Sequence, residues 1–127
     1  MKSFRTVSEF TSKYPLYDRF VEKIVGGNDE VIITFDLSHC DDPQRNDDGK
    51  SYILTAAFRT TSINLVEGEI PDSDEIVGGE ILKVEEVDGR LQIGIEWRLR
   101  SNERYRWTET IISSPPSRLE EAVVEVT

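Results

Sequence analysis

Residues 80–100 read EILKVEEVDGRLQIGIEWRLR and predict a β-hairpin. Asp88-Gly89 favours a two-residue type I′ turn, in which both central residues need a positive φ. After the turn, apolar and polar residues alternate strictly from Leu91 to Leu99, as in a strand with one buried and one solvated face. Residues 80–87 supply the partner strand. The sequence therefore predicts an antiparallel sheet.

Further strands are predicted on both sides of this hairpin. Residues 31–37 and 51–59 alternate with a period of two, and 63–66 either continue the second strand or form a separate one. After the turn at 101–103, the chain is expected to return as a strand through residues 105–111. The side chains expected to point into the core are Val31, Ile33, Phe35, Leu37, Tyr52, Leu54, Ala56, Phe58, Trp97, Leu99, Tyr105 and Trp107.

The N-terminal segment predicts a helix. Thr6 and Glu9 have the spacing of a capping box, and Pro15 suits the first turn of a helix that runs to about Val25, before Gly26-Gly27. An apolar stripe at helical spacing would pack this helix on the sheet; its members are Phe10, Tyr14, Tyr17, Val21 and Ile24. Residues 113–127 are expected to form a short helical or disordered tail.

These elements predict an α+β fold and a single domain over residues 1–127. An N-terminal helix would pack on a curved antiparallel sheet of about five strands, an architecture analogous to that of cystatin-like and nuclear-transport-factor-like (NTF2-like) domains. The analogy concerns architecture alone, because no stretch of residues matches a family motif. Fold by itself does not give function.

The composition excludes several function classes. The chain has 15 basic and 25 acidic residues and a formal net charge of -10, which disfavours binding to nucleic acid or to an anionic membrane, except as a nucleic-acid mimic. A single cysteine precludes an intrachain disulfide, and a single histidine precludes a site with two imidazoles. With no apolar signal-peptide core in the first twenty residues, a cytoplasmic location is expected. No cofactor and no metal are expected.

The region 67–88 is strongly acidic, with nine acidic residues and one basic residue. Such density repels itself but accelerates association with a partner of opposite charge. Solubility alone is the simpler explanation, since charge runs are often solvated faces. The acidic residues expected to contact a partner are Glu67, Glu69, Asp72, Asp74, Glu75, Glu85 and Glu86.

A basic cluster flanks the turn at 101–103, and consists of Arg98, Arg100, Arg104 and Arg106. Like charges facing each other destabilise a hairpin, so these arginines are expected to form a structural ion-pair network with Glu96, Glu109 or the acidic region. Recognition of an anion or a carboxylate is the alternative. Strand alternation places Arg98 and Arg100 on one face, opposite Trp97 and Leu99.

Two other stretches of sequence carry residue types that are found in catalytic or metal sites. His39-Cys40 joins the only histidine to the only cysteine, but adjacent strand residues point to opposite faces, and the nearby aspartates would raise the pKa of the thiol. Cys40 is therefore expected to be an inert thiol. The loop 41–50 is rich in oxygen ligands but lacks two anionic ligands of a calcium loop, so a turn-rich connection is expected there.

We therefore expect a non-enzymatic, acidic protein that binds a basic protein partner, as inhibitors and immunity-type factors of bacteria or phages do. The alternative is a small-molecule-binding or weakly enzymatic α+β domain. Its apolar pocket would lie inside the curved sheet and be lined by Tyr14, Tyr17, Phe35, Trp97 and Trp107.

Overall fold

A computed structural model describes residues 4–37, 50–72, 74–100 and 105–125. Within these ranges the chain forms one helix, α1, spanning Val7–Lys13, and eight strands. The strands are β1 (Phe20–Gly26), β2 (Glu30–Asp36), β3 (Lys50–Arg59), β4 (Ile63–Glu67), β5 (Ile76–Val87), β6 (Arg90–Leu99), β7 (Tyr105–Ile112) and β8 (Arg118–Glu125). A 3-10 turn, Thr60–Ser62, joins β3 to β4.

The eight described strands form one open antiparallel sheet in the order β4-β7-β6-β5-β1-β2-β3-β8. The expected arrangement of a helix on about five strands is therefore wrong. The structure is mostly sheet, because two segments expected to be helical or irregular, 20–26 and 118–125, are strands instead.

The helix is shorter than predicted because Pro15 ends it instead of starting its main part. Proline lacks an N–H donor and disfavours the helical region for the preceding residue. Tyr14 accordingly caps the helix with φ -126° and ψ 85°. The chain then turns through Asp18, whose φ is 63°, and enters β1.

The C-terminal segment was expected to be a helical or disordered tail, but it forms β8 at the edge of the sheet. Ladder pairing with β3 runs from Lys50↔Glu125 to Ala57↔Arg118. A free edge on β3 offers unpaired backbone groups, and β8 satisfies them. The helix is tied to this edge as well, since the Tyr14 hydroxyl donates a hydrogen bond to the Glu121 carboxylate.

Several predicted features are confirmed. Asp88 and Gly89 have φ values of 54° and 76°, as a type I′ turn requires, and β5 pairs with β6 around them. Residues 63–67 form a separate strand. The predicted N-cap is present, because Thr6 Oγ1 accepts a hydrogen bond from the Glu9 backbone N–H at 3.1 Å.

One core unites both halves of the sheet with the helix. β1 joins β5 through only two residue pairs, Phe20↔Glu80 and Val21↔Gly79, which separates β4-β7-β6-β5 from β1-β2-β3-β8. Buried side chains of both halves nevertheless belong to one apolar cluster, so the sheet bends around α1. The largest fully buried members are Trp97, Tyr14, Phe10, Phe35, Phe58 and Leu16.

The face of β7 was predicted wrongly. Thr108, Thr110 and Ile112 are buried, whereas Tyr105 and Trp107 point to the outer face. Trp97 explains this choice, because its indole Nε1 donates to Thr108 Oγ1 at 2.8 Å. A buried indole N–H needs an acceptor, and a threonine facing the core supplies it.

Candidate functional site

The structure divides the predicted acidic surface among three places. Glu67 and Glu85 point to the outer face of the sheet, Glu69 to Glu75 lie in the loop between β4 and β5, and Glu86 lies on the opposite side of β5 from Glu85. Strand alternation separates Glu85 from Glu86, since neighbouring residues of a strand point to opposite faces. The seven acidic residues therefore do not form one continuous face.

Glu86 is engaged by the helix. Its carboxylate accepts hydrogen bonds from Thr11 Oγ1 at 2.6 Å and from Ser8 Oγ at 3.2 Å. Glu86 faces Leu91, a fully buried residue of β6, so it lies on the core side of the sheet near the rim. This residue anchors α1, a role that the charge pattern did not reveal.

Glu109 is the centre of a polar network on the outer face. Lys83 Nζ lies 2.6 Å from its Oε1, and Gln92 Nε2 donates to the same oxygen at 2.9 Å. The hydrogen bond from Lys83, followed by that from Gln92, lowers the pKa of Glu109 from 4.5 to about 2. Glu109 thus pairs with a lysine of β5 and not with the arginine cluster, contrary to the sequence-based expectation.

The acidic loop, described at residues 69–72 and 74–75, connects β4 to β5. It leaves β4, which pairs with β7, and enters β5, which pairs with the other side of β6. The Arg100 backbone N–H donates to the Glu75 carbonyl oxygen at 2.7 Å, and this bond joins the end of the loop to the end of β6. The side chains of Glu69, Asp72 and Asp74 are exposed.

These loop carboxylates are not neutralised within the described ranges. The ion pairs found there, at N–O distances of 4.0 Å or less, are Lys83–Glu109 and Arg118–Glu30, and neither includes Glu69, Asp72, Asp74, Glu75 or Glu85. The loop therefore presents negative charge to solvent even though arginines lie at the same end of the sheet.

The arginine cluster is split between two faces. Arg98 points to the outer face and is exposed, while Arg106 is directly opposite the buried Trp97 and is half-buried on the core side. Arg100 is exposed beyond the end of β6. Arg104 lies outside the described residues. None of Arg98, Arg100 and Arg106 has a described carboxylate within 4.0 Å, so the structure shows no ion-pair network around these three arginines.

A groove of about 320 Å³ opens on the outer face where β1, β5 and β6 meet. Three strands place Phe20, Glu80 and Glu96 in one row, through the pairs Phe20↔Glu80 and Glu80↔Glu96. A second row contains Gly78, Arg98 and Tyr105. The two glutamates are half-buried and directly opposite each other, whereas Tyr105 is 60% exposed.

Sequence reasoning missed this groove. Phe20 was expected in a helix, and Tyr105 was expected in the core, so neither could be placed beside Glu80 and Glu96. The pairing of Glu80 with Glu96 could not have been found from the Asp88-Gly89 turn either. The register set by that turn would place Glu80 opposite Trp97, and an irregularity between Ile81 and Lys83 shifts the pairing by one residue.

The apolar pocket considered from the sequence is not assembled. Tyr14, Phe35 and Trp97 are fully buried in the core, Tyr17 is 62% exposed, and Trp107 lies on the outer face. The structure therefore does not bring these five residues around one cavity.

The remaining sequence-based candidates lie outside the described residues. His39, Cys40 and the loop 41–49 belong to the segment 38–49, and the inertness of the Cys40 thiol stays a prediction. Elsewhere, within the placed part of the chain, no group of three or more His, Cys, Asp or Glu residues has an arrangement suited to a metal ion.

Comparisons of the chain with models of known protein families, with curated proteins and with solved structures found no significant match. Among the helices of the described ranges, none has the length and apolar character of a membrane span.

Proposed function

We propose that this protein is a small acidic binding protein that engages a basic protein partner, in the manner of an inhibitor or an immunity-type factor of bacterial or phage origin. The observation that carries the proposal is the acidic loop between β4 and β5, where Glu69, Asp72 and Asp74 are exposed. No cation of the described ranges lies within 4.0 Å of these carboxylates.

The acidic loop is suited to capture a positively charged surface. Exposed like charges on a short segment repel one another, and a basic partner relieves that repulsion while accelerating the diffusional encounter. The outer-face groove begins immediately after the loop, at Val77 and Gly78. Loop and groove together offer exposed aromatic area beside exposed charge, and protein interfaces commonly have aromatic residues at the centre and polar residues in the rim.

A small-molecule carrier or enzyme has less support. The side chains expected to line its pocket pack in the core or lie on the outer face. The cytoplasmic location expected from the sequence forms part of the proposal, since a reducing compartment suits a chain with one cysteine.

The proposal is tested with a fluorescent oligolysine peptide, whose binding is followed by anisotropy at increasing salt. In one variant Glu69, Asp72 and Asp74 are replaced by lysine. The control replaces three exposed acidic residues of other elements by lysine, namely Glu9, Glu22 and Asp29, so that both variants carry the same net charge.

The loop variant is expected to lose far more affinity than the control, and wild-type binding is expected to weaken steeply with salt. Equal losses in the two variants would mean that net charge alone attracts the peptide and would overturn the proposal. Wild-type affinity that is insensitive to salt would overturn it too.

A further inference from the structure

We infer that the groove between β1, β5 and β6 receives one arginine side chain of the basic partner. The inference rests on the proposed function and assigns a specific subsite within it. The two facing carboxylates of Glu80 and Glu96 would accept the N–H groups of the guanidinium, and the exposed ring of Tyr105 would flank its plane.

The charge of the groove matches a monovalent cation. Glu80, Glu96 and Arg98 are its charged lining residues, which gives a net charge of -1 from two carboxylates and one guanidinium. Arg98 does not neutralise either glutamate internally, because the ion pairs formed within the placed ranges do not include it. One incoming guanidinium would bring the groove to neutrality.

The facing glutamates also have an energetic cost in the free protein. Residues directly opposite each other in an antiparallel pair have Cβ atoms about 5 Å apart, and like charges at that separation destabilise the sheet. Both glutamates are half-buried, which strengthens the repulsion relative to fully solvated side chains. A cation bound between them converts this repulsion into attraction.

The shape of the groove favours a side chain over a larger ligand. Its volume of about 320 Å³ is at the lower end of the range for ligand pockets. Gly78 supplies the open space, since a Cβ built on it would have no atom within 4 Å. Two carboxylates are too few for a calcium site, which needs six or more oxygen ligands.

Guanidinium is the cation that this lining fits best. A planar guanidinium can donate to two carboxylates at once and stack on an aromatic ring, whereas an ammonium is a compact and strongly hydrated point charge. Phe20, the β1 residue paired with Glu80, also lines the groove.

The test uses N-acetyl-arginine amide as the probe, titrated into the full chain and followed by amide chemical shifts in NMR. We expect the shifts to concentrate at Gly78, Gly79, Glu80, Glu96 and Arg98. N-acetyl-lysine amide, titrated in parallel, is expected to bind more weakly. Equal affinity for the two probes would overturn the assignment to arginine.

Two variants remove the site in different ways. Glu80→Gln with Glu96→Gln removes the charges and also the repulsion, so the fold should be retained. Gly78→Leu adds a side chain to the groove at a position where a Cβ meets no atom within 4 Å. Each is expected to weaken binding of the arginine probe by about tenfold or more. The matched controls are Glu85→Gln on the same face of β5 and Gly26→Leu, at a glycine whose added Cβ also meets no atom within 4 Å. These controls should retain the wild-type affinity, and losses equal to those of the groove variants would overturn the inference.

Arg98→Gln tests whether the groove binds a cation or an anion. It changes the groove charge from -1 to -2, so the arginine probe should bind more tightly. Weaker binding would overturn the inference and would favour the alternative in which the arginines recognise an anion. The two proposals can fail separately. If the arginine probe causes no amide chemical-shift changes in the groove, while the loop variant still loses more oligolysine affinity than its control, the arginine subsite alone is overturned. A normal groove response with no specific effect of the loop reversals would remove the acidic-loop proposal.

Discussion

The indole of Trp107 on β7 lies directly over Gly94 on β6. A Cβ built on Gly94 would fall 2.5 Å from the Cη2 atom of Trp107 and 2.9 Å from the Cβ of Lys83. The absence of a side chain at Gly94 therefore leaves room for the Trp107 indole on the outer face of the sheet, beside the Lys83–Glu109 ion pair.

Gly94→Ala should consequently destabilise the protein, although alanine is the better strand residue by propensity. The methyl group must displace the indole, and overpacking of this kind costs about 1–3 kcal/mol. The free energy of unfolding in denaturant measures the loss. Gly26→Ala, whose Cβ would meet no atom within 4 Å, is the control and should change stability little. Equal effects at both positions would contradict the packing described for Trp107.

Two threonines on the core side of β7 should respond oppositely to valine. The Thr110 hydroxyl is buried without a hydrogen-bond partner, so Thr110→Val should stabilise the protein by about 1 kcal/mol. Thr108 accepts the bond from Trp97 Nε1, so Thr108→Val leaves a buried N–H unpaired and should destabilise it by about 1–3 kcal/mol. Denaturant unfolding of both variants checks the prediction, and a loss of stability in Thr110→Val would show that its hydroxyl has a partner.

The Lys83–Glu109 pair should appear in the acid-unfolding curve. The folded-state pKa of Glu109, about 2, is below its ordinary value of 4.5. The pair therefore stabilises the fold above pH 4.5, and this contribution is lost as the pH falls from about 4.5 to about 2. The stability of Glu109→Gln should decline less steeply than that of wild type in this window, whereas Glu120→Gln on β8 should follow wild type. Parallel curves for wild type and Glu109→Gln would contradict the assignment.

Adjacent glutamates of β5 should have different roles. Glu86→Lys removes the acceptor for Ser8 and Thr11, so we expect a stability loss of up to about 1 kcal/mol and faster amide hydrogen exchange in α1. Glu85→Lys reverses an exposed charge on the other face and should leave α1 protected. Faster exchange of α1 in Glu85→Lys alone would show that the assignment of faces is reversed.

Alanine substitution of the arginines near the β6–β7 turn should change stability only where the side chain lies against the core. Arg106→Ala removes a half-buried aliphatic stem beside Trp97 and should cost about 1 kcal/mol of stability. Arg100→Ala removes an exposed side chain and should leave the melting temperature nearly unchanged, because the backbone bond to Glu75 remains. Thermal unfolding of both variants checks this, and a larger loss for Arg100→Ala would contradict the placement of these side chains.

The sequence could predict those parts of the fold that depend on neighbouring residues. The turn at Asp88-Gly89 and the alternation of β6 both follow from local backbone chemistry, and the structure confirms them. The N-cap at Thr6 is local in the same way. The helix end was predicted wrongly because two local signals conflict there: the apolar residues keep helical spacing past Pro15, but proline cannot continue the helix.

The candidate site could not be predicted to the same extent, because it depends on contacts between distant segments. Phe20 and Glu80 are paired across the β1–β5 junction, sixty residues apart along the chain. Tyr105 reaches the groove only because β7 turns its threonines inward, although the set that faces outward, with Tyr105, Trp107 and Ile111, is the more apolar of the two. Alternation with a period of two does not determine which set of side chains is buried. A tertiary contact determines it, here the hydrogen bond from the Trp97 indole to Thr108.

By itself, then, the amino-acid sequence determined the net charge of -10, the acidic run after Val66 and the β5–β6 hairpin, since composition and nearest-neighbour geometry suffice for these. Only the tertiary structure decided that β8 completes the edge of β3, that Glu86 holds the helix, and that Glu80 and Glu96 share a groove with Phe20. The physical reason is that backbone hydrogen bonds between strands carry little side-chain specificity. Which strands become neighbours is settled when the whole chain buries one common core.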